Sequence, residues 1–437
     1  MSDNSTNKTY HYSLKTYLNE VSFDEIDLKI SSFGFEYVIG GRLPFGHLTA
    51  QTKNLNTLHN AISELSRIYI EVSGTDDSGK NDLKCKFSFF IIEANFTTDK
   101  ASGYTIEMLL SSDLSNKASL LATPIKQNAN GNTVDFIRKL FSDDGTVYRK
   151  DYKPLVMFQN SPWGDMTSNI RVLDMLNSKS IDSKVRNFSG ITKLEAINEV
   201  ISDSKIQDNK CIGHYFAHNQ KTGALDLTLF DINLRCKSFQ PRTLVFEGRR
   251  VRQEIGFDKL NVSYSSMEFS QKGTYYTATY WQREVESYAN NEVIRFNTES
   301  QSKSLFKDGM DYCTDNVYLN GKDEVNKFVM FRSGLLLNKR DEPTNKDVEK
   351  KISNSRANYL RTTRALQKLN VKVKINGFVS AEIGDIWKVH FRDYSKSENN
   401  IDDKLLTGNY MICRVVYEFY GGFWSSIIVF SRDSYVK

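Results

Sequence analysis

The stretch YMICRVVYEFYGGFWSSIIVF, from Tyr410 to Phe430, contains two runs of β-branched and aromatic residues separated by Gly421 and Gly422. Such residues favour strands, and a two-residue glycine connection favours a tight hairpin turn of the primed type. In an extended strand, the first run carries apolar side chains on both faces, so each face needs its own partner. The sequence therefore predicts a long β-hairpin that is covered on both sides.

Two further strand candidates precede this hairpin. They are VKVKI (371–375) and DIWKVHF (385–391), which again combine β-branched and aromatic residues. The carboxyl end of the chain is therefore expected to be a β region.

The amino-terminal third shows the same character. Its strand candidates are FEYVI (35–39), RIYIEV (67–72), LKCKFSFFIIE (83–93) and YTIEMLL (104–110). In the third run, Leu83, Cys85, Phe87 and Phe89 alternate with Lys84, Lys86 and Ser88, which predicts one face in a core and one in water. The turn formers TDDSGKND suit a hairpin tip. Residues 1–122 are expected to form one antiparallel β domain, a small barrel.

The middle of the chain mixes both periodicities. Apolar residues at helical spacing follow Thr133, and Thr192 with Glu195 has the spacing of a capping box. Two strand candidates, CIGHYFAH (211–218) and ALDLTLFDI (224–232), come after the second helix. Residues 123–243 are therefore expected to form an α+β domain.

The remaining segments complete the domain prediction. FDKLNVSYSSM (257–267) is strand-like, residues 265–344 are expected to form an inserted peripheral domain, and a long polar helix is expected from Thr344 to about Leu369. A second β domain would then combine residues 244–264 and 345–437. The fold class predicted is α+β and β-rich.

Composition excludes several classes of protein. The net charge is only +5, with 58 basic and 53 acidic residues, which is not the footprint of a dedicated nucleic-acid binder. The five cysteines are widely spaced and are expected to be reduced thiols. The polar amino terminus lacks the pattern of a secretory signal, and no apolar run approaches the roughly 20 residues that span a bilayer.

The candidate residues for chemistry have simpler structural explanations. Cys211, His214 and His218 would converge on a metal only in a helix, and this segment is predicted to be a strand. A glycosidase needs two facing carboxylates. The candidates Glu195, Asp226, Asp231 and Asp385 are explained as a cap, strand-face or turn residues. We therefore expect no catalytic residues, no metal and no cofactor.

The carboxyl end resembles a known family. A basic polar helix, the VKVKI strand, a Gly-Asp pair in AEIGDIWKVHF (381–391), an acidic loop, GNYMICRVVYEF (408–419) and a closing hairpin strand occur in the order of the last tube domain of baseplate hub proteins. This family includes hubs of myophage baseplates, late-control tail proteins of simpler contractile phages, and the base of type VI secretion spikes. Upstream, VDFIRKLF (134–141), an SPW tripeptide (161–163) and FDKLNVSYSS extend the resemblance.

The resemblance implies a structural protein of the virion tail baseplate, made in the host cytoplasm. It implies a homotrimer in which each chain gives two small antiparallel tube-type β-barrels, so that six surround a channel. The implied partners are the tail spike protein, the tail tube protein and other baseplate proteins, together with passing DNA that is bound without sequence specificity. In such proteins Gly384 would let the chain turn into a barrel strand. Membrane insertion is not expected.

Two sets of residues are predicted to make contacts. The subunit-interface candidates are Ile412, Val416, Phe423, Trp424 and Ile428. The basic helix candidates, which would face the channel or a partner unless they are simply solvated, are Arg356, Arg361, Arg364 and Lys368. Two alternative functions stay open, a tail-associated cell-wall hydrolase and a receptor-binding β protein.

Overall fold

The computed structural model describes the strands of both β regions and much of the middle region. The described residues are 10–54, 66–76, 81–99, 103–114, 119–121, 124–141, 156–158, 161–164, 166–173, 182–204, 211–236, 242–247, 250–255, 261–271, 292–294, 329–331, 359, 362–363, 366, 369–391, 403–404 and 406–433.

The first group of strands comes from the amino-terminal third. Its members are Tyr10–Leu18 (β1), Val21–Ser22 (β2), Leu28–Val38 (β3), Phe45–Thr52 (β4), Arg67–Asp76 (β5), Asn81–Asp99 (β6) and Gly103–Ser111 (β7). All of their mutual pairings are antiparallel. The four runs predicted to be strands are confirmed in β3, β5, β6 and β7.

The prediction that the polar face of β6 lies in water is wrong at Ser88. This side chain is buried, and its hydroxyl donates a hydrogen bond to the carbonyl of Gly223 at 2.6 Å. The backbone N–H of Lys86 likewise donates to the carbonyl of Gln220. A turn of the middle region therefore covers this part of β6, which a strand pattern alone cannot reveal.

The middle region is an α+β arrangement. Its elements are Pro124–Asn132 (β8), Thr133–Phe141 (α1), Val156–Phe158 (β9), Met166–Ser168 (β10), Ile170–Val172 (β11), Asp182–Thr192 (β12), Lys193–Asp203 (α2), Ile212–His218 (β13), Leu225–Asp231 (β14) and Ile232–Cys236 (α3). The capping box is confirmed, because the Thr192 hydroxyl accepts from the N–H of Glu195 and the Glu195 carboxylate accepts from the N–H of Thr192. The two predicted strands are β13 and β14.

The last group of strands follows. Its members are Arg242–Glu247 (β15), Arg250–Ile255 (β16), Asn261–Gln271 (β17), Glu292–Ile294 (β18), Val329–Phe331 (β19), Leu369–Asn376 (β20), Ile386–Phe391 (β21), Gly408–Tyr420 (β22) and Phe423–Arg432 (β23). Seven of them pair in a closed circuit, β22-β21-β15-β16-β17-β20-β23 and back to β22. The pair β15–β21 is parallel, which corrects the prediction of a purely antiparallel barrel. The pair β18–β19 stands apart.

Two boundaries differ from the sequence predictions. β17 continues to Gln271, so the strand passes the expected domain boundary at residue 264. Leu369 begins β20, so the polar helix predicted to reach it ends earlier. Most of that helix, and most of the expected inserted domain, lie outside the described residues.

The two strand groups are joined in one sheet of fourteen strands. The link is antiparallel pairing between β3 and β22, from Val38 opposite Arg414 to Ser32 opposite Tyr420. A single cluster of buried side chains fills both groups, from Leu18 in β1 to Phe430 in β23. The groups therefore share both hydrogen bonds and a core.

The two groups have the same strand order. In space the first group runs β1-β5-β6-β7-β4-β3, and the second runs β15-β21-β22-β23-β20-β17. If the six strands of each group are numbered in chain order, their order in space is 1-4-5-6-3-2 in both groups. In each group a further strand, β2 or β16, follows the first member and pairs with it. The second group thus repeats the spatial strand order of the first, although the pair β15–β21 is parallel where the equivalent pair β1–β5 is antiparallel.

The irregularities of the strands also repeat. β3 bulges at Ser31 against β4, and β17 bulges at Ser265 against β20. β6 bulges at Ile92 against β7, and β22 bulges at Cys413 against β23. In both β6 and β22, seven residues of strand follow this bulge before the chain turns. Bulges are specific features of a strand pair, so their coincidence sets a residue-by-residue correspondence between the groups.

Candidate assembly site at the junction of the strand groups

Strand β22 changes partner at its bulge. Residues from Gly408 to Met411 pair with β21, and residues from Arg414 to Tyr420 pair with β3. The other side of β22 pairs with β23 on both sides of the bulge. The seven residues that follow the bulge of β3 therefore meet the seven that follow the bulge of β22.

Aromatic side chains fill the core side of this junction. Phe35 of β3 lies opposite Tyr417 of β22, with ring centroids 5.3 Å apart. Phe35 also contacts Phe87 and Phe89 of β6, at centroid distances of 4.7 Å and 5.5 Å. All four side chains are buried, so this cluster carries much of the stabilisation between the groups.

Ion pairs mark the outer side of the junction. The Arg414 guanidinium lies 2.5 Å from the Glu36 carboxylate, across the β3–β22 boundary. The Lys374 ammonium lies 2.6 Å from the Glu418 carboxylate, two strands away. These groups are partly exposed, so each pair contributes at most about 1 kcal/mol and serves register more than stability.

A buried histidine ties the middle region to the same cluster. The Nε2 atom of His218 lies 2.7 Å from the carbonyl oxygen of Ser88, which can only accept, so Nε2 carries the hydrogen. The Nδ1 atom then accepts from the Tyr37 hydroxyl at 2.9 Å. Burial lowers the pKa of His218 to about 4, so the ring is neutral at pH 7.

The five interface candidates do not share one environment. Ile412, Trp424 and Ile428 are buried within the chain's own core, so their side chains are not presented to a partner. Val416 is half-buried on the outer face, and Phe423 is 80 % exposed. Of the five predicted interface residues, Val416 and Phe423 are the two whose side chains are exposed enough to contact another subunit.

Both edges of this hairpin are paired with strands of the same chain. β22 pairs with β21 and β3 on one side and β23 on the other, while β23 also pairs with β20. The hairpin edges are thus used within the chain. The predicted primed turn is confirmed by positive φ at Gly421 (56°) and Gly422 (86°). Arg356, Arg361, Arg364 and Lys368 lie outside the described residues.

The candidate metal ligands are separated. β13 is a strand, and His214 bonds to the Asn198 side chain at 2.9 Å, whereas His218 bonds to Tyr37. Burial raises the pKa of the Cys211 thiol, which keeps it protonated. Within the described ranges, no three His, Cys, Asp or Glu side chains lie close enough together to hold a metal.

The candidate carboxylates each have a structural partner. Glu195 closes the capping box, and Asp385 faces Arg235 at 3.6 Å. Asp231 accepts from the backbone N–H of Leu234, and Asp226 accepts from that of Asn169. Burial raises the pKa of Asp226 to about 6. No two of them are brought together as a facing pair by these contacts.

One sequence signal of the repeat was missed. In both β3 and β17, the bulged residue is the first serine of a Ser-Ser-X-X-Phe pattern. The pattern occupies Ser31–Phe35 and Ser265–Phe269. Phe269 therefore occupies the position of Phe35. It is 47 % exposed, although its ring lies edge-on to Phe391 at 5.2 Å. The described part of the chain contains no helix that is long and apolar enough to cross a membrane.

Comparison with known proteins gives structural similarities only. No protein-family model and no curated protein matches the chain. The prophage MuSo2 43 kDa tail protein from Shewanella oneidensis has 10 % identity and a TM-score of 0.46, over 97 % of this chain and 99 % of that one. A tail protein from Neisseria meningitidis has 10 % identity and a TM-score of 0.45, over 97 % of each chain.

A third similar structure is an E. coli component of the type VI secretion system, which is itself described as structurally similar to T4 bacteriophage tail proteins. It has 7 % identity and a TM-score of 0.41, over 94 % of this chain and 74 % of that one. Two of these structures are tail proteins and one is a type VI secretion component, which are the kinds of protein that the sequence resembles. At such identities the likeness concerns the fold.

Proposed function

We propose that this protein is the central hub of a contractile phage tail baseplate. Three copies would form a ring in which each chain supplies two tube-type β-barrels. The first is the group β1–β7, and the second is the closed circuit that includes β15–β17 and β20–β23. The middle region and the residues inserted between β17 and β20 would lie outside these barrels.

The observation that carries this proposal is the repeat within the chain. Two strand groups share one spatial order and the same two bulge positions, although their sequences differ. A chain with two equivalent domains presents six equivalent positions when three copies form a closed ring. Such a ring can match a sixfold tail tube on one side and a threefold spike on the other.

The proposed role is structural. The ring would seat the spike protein, start the tail tube, contact other baseplate proteins and line the channel through which DNA passes. A conduit must let DNA slide, so contacts would be limited to the phosphate backbone and would weaken with salt.

Light scattering coupled to size-exclusion chromatography tests the stoichiometry. We expect the purified full chain to elute with the mass of three 50.2 kDa chains. A mass of one chain that persists at the highest concentration reached would contradict the hub proposal.

A further inference from the structure

The correspondence between the strand groups identifies two strand segments beside which no described strand takes the place of their equivalents' partner. After its bulge, β3 pairs with β4 on one side and β22 on the other. The equivalent segment of β17, Ser266–Gln271, pairs with β20 on one side, and no described strand lies on the other. β16 meets β17 only from Asn261 to Ser263.

The same holds for the other half of the junction. After its bulge, β22 pairs with β23 and β3. The equivalent segment of β6, Glu93–Asp99, pairs with β7, while the partner on its other side, β5, ends opposite Phe90. Among the described residues, no strand takes the place that β3 takes beside β22.

The apolar side chains at these two segments are unusually exposed. Phe269 of β17 is 47 % exposed, whereas the equivalent Phe35 is 2 % exposed. Ile92, at the bulge of β6, is 57 % exposed, whereas Cys413 at the bulge of β22 is half-buried. Exposed strand edges with apolar residues are sites where natural proteins pair with another chain.

We propose that the β17 segment of one copy pairs with the β6 segment of the next copy, as β3 pairs with β22 within the chain. The occupant of each edge is thus a second copy of this protein. This inference rests on the proposed ring, because a head-to-tail contact between two different edges closes only around a rotation axis.

The register follows from counting residues after each bulge. Within the chain, Phe35 and Tyr417 are each four residues past a bulge and lie opposite each other. Between copies, Phe269 and Phe96 hold these positions, so two aromatic rings again face each other. Glu36 and Val416 also lie opposite each other within the chain. By the same count Ser270 corresponds to Glu36 and Asn95 to Val416, so Ser270 and Asn95 should face each other between copies.

The partly buried state of Phe96 agrees with this register. Phe96 packs against the edge of the shared core, on the same face as Ala94. The equivalent residues of β22, Tyr417 and Val415, are fully buried because β3 covers them. A neighbouring β17 would cover Phe96 and Ala94 in the same manner.

Disulfide cross-linking tests the register. Opposed residues in antiparallel strands have Cβ atoms about 4.5–5.5 Å apart, close to the separation that a disulfide needs. The full-length Asn95→Cys/Ser270→Cys variant should form covalent dimers and trimers under oxidation. The matched control, Asn95→Cys/Ser266→Cys, uses another exposed serine about 13 Å further along the strand and should give at least tenfold less product.

A second variant tests the aromatic contact. Phe269→Asp should convert the oligomer to single chains that keep their circular dichroism spectrum. Phe45→Asp is the control, because Phe45 is 45 % exposed but lies on β4, which pairs with strands on both sides. It should leave the oligomer intact.

The outcomes separate the inference from the proposed ring. A trimer that shows no in-register cross-linking, or that survives Phe269→Asp, overturns this inference and leaves the ring standing. A product that stops at covalent dimers overturns the head-to-tail pairing. A chain that remains monomeric before any substitution overturns both.

Discussion

Phe35 of β3 lies opposite Tyr417 of β22, and their ring centroids are 5.3 Å apart across the boundary between the two strand groups. The two residues are 382 positions apart in the chain, so their contact reports long-range assembly of the fold. The equivalent of Phe35 in the second group, Phe269, lacks such a strand partner among the described residues. Two structurally equivalent phenylalanines thus have different roles.

Substituting these two residues by alanine should separate the roles. Phe35→Ala should lower the free energy of unfolding by about 3–5 kcal/mol, because it removes a buried ring from a packed cluster. Phe269→Ala should change the stability of the chain much less but weaken its self-association. Denaturant unfolding and light scattering on both variants measure this, and equal losses of stability would contradict the distinction.

The outer and inner faces of the hairpin should respond differently to a charge. Ile428→Lys places an ammonium in the core and should destabilise the chain by several kcal/mol. Val416→Lys places it on the half-buried outer face, directly opposite Glu36, where a partner carboxylate is present. Thermal unfolding should show a large fall in Tm for Ile428→Lys and a small change in Tm for Val416→Lys. Similar falls in Tm in both variants would contradict this distinction and show that the outer face is also buried.

Gly384 should tolerate alanine less well than Gly421 does. Both have positive φ, at 84° and 56°. A Cβ at Gly384 would lie 2.6 Å from Cζ of Phe230, whereas a Cβ at Gly421 meets nothing within 4 Å. Gly421→Ala should therefore cost about 1 kcal/mol from backbone strain, and Gly384→Ala clearly more. Urea unfolding of both variants measures the two costs, and equal costs would mean that the Phe230 ring moves aside freely.

The strand pattern predicts much of this fold, but not its junction. Runs such as Leu83–Glu93 and Tyr410–Phe430 alternate strongly enough to identify β6 and the β22–β23 hairpin. β4 was missed because FGHLTAQT carries glycine, histidine and threonine among its apolar residues. Ser88 was misplaced because its cover comes from a turn 135 residues away.

The placement of Ile412, Trp424 and Ile428 shows why the site was harder to predict than the fold. Apolar residues on two faces of a strand show that two partners exist, but not whether each partner belongs to the same chain. β3 pairs with an edge of β22 and not with a face. The bulge at Cys413 shifts the alternation of side chains, so Ile412 before it and Val415 after it are both buried. The edges beside which no described strand lies were identifiable only after the bulges had aligned the two groups, because register is a three-dimensional property. These bulges lie at Ser31, Ser265, Ile92 and Cys413.

Stability should fall as the solution becomes acidic, in part because of His218. Its pKa is about 4 in the folded chain and about 6.5 when unfolded, so the unfolded state takes up a proton first as the pH falls between these values. The stabilisation is complete above pH 6.5 and is lost toward pH 4. From pH 7.5 to 5 the loss from this one residue is about 2 kcal/mol.

The variant His218→Gln keeps a neutral polar side chain and removes that titration. The difference in unfolding free energy between pH 7.5 and pH 5 should be about 2 kcal/mol smaller in the variant than in the parent. His214, with a pKa also near 4, and Asp226, whose raised pKa acts in the opposite direction, are present in both proteins and cancel. An unchanged pH dependence would mean that His218 does not titrate as the buried, neutral ring that the contacts indicate.

The proposed ring is tested most directly by an electron cryo-microscopy reconstruction of the purified full-length protein. The reconstruction should show a ring of three chains with six similar strand groups around a central hole, and a β17 segment from one chain beside the β6 segment of the next. A particle of one chain, or a ring in which these two segments do not meet, would contradict this prediction.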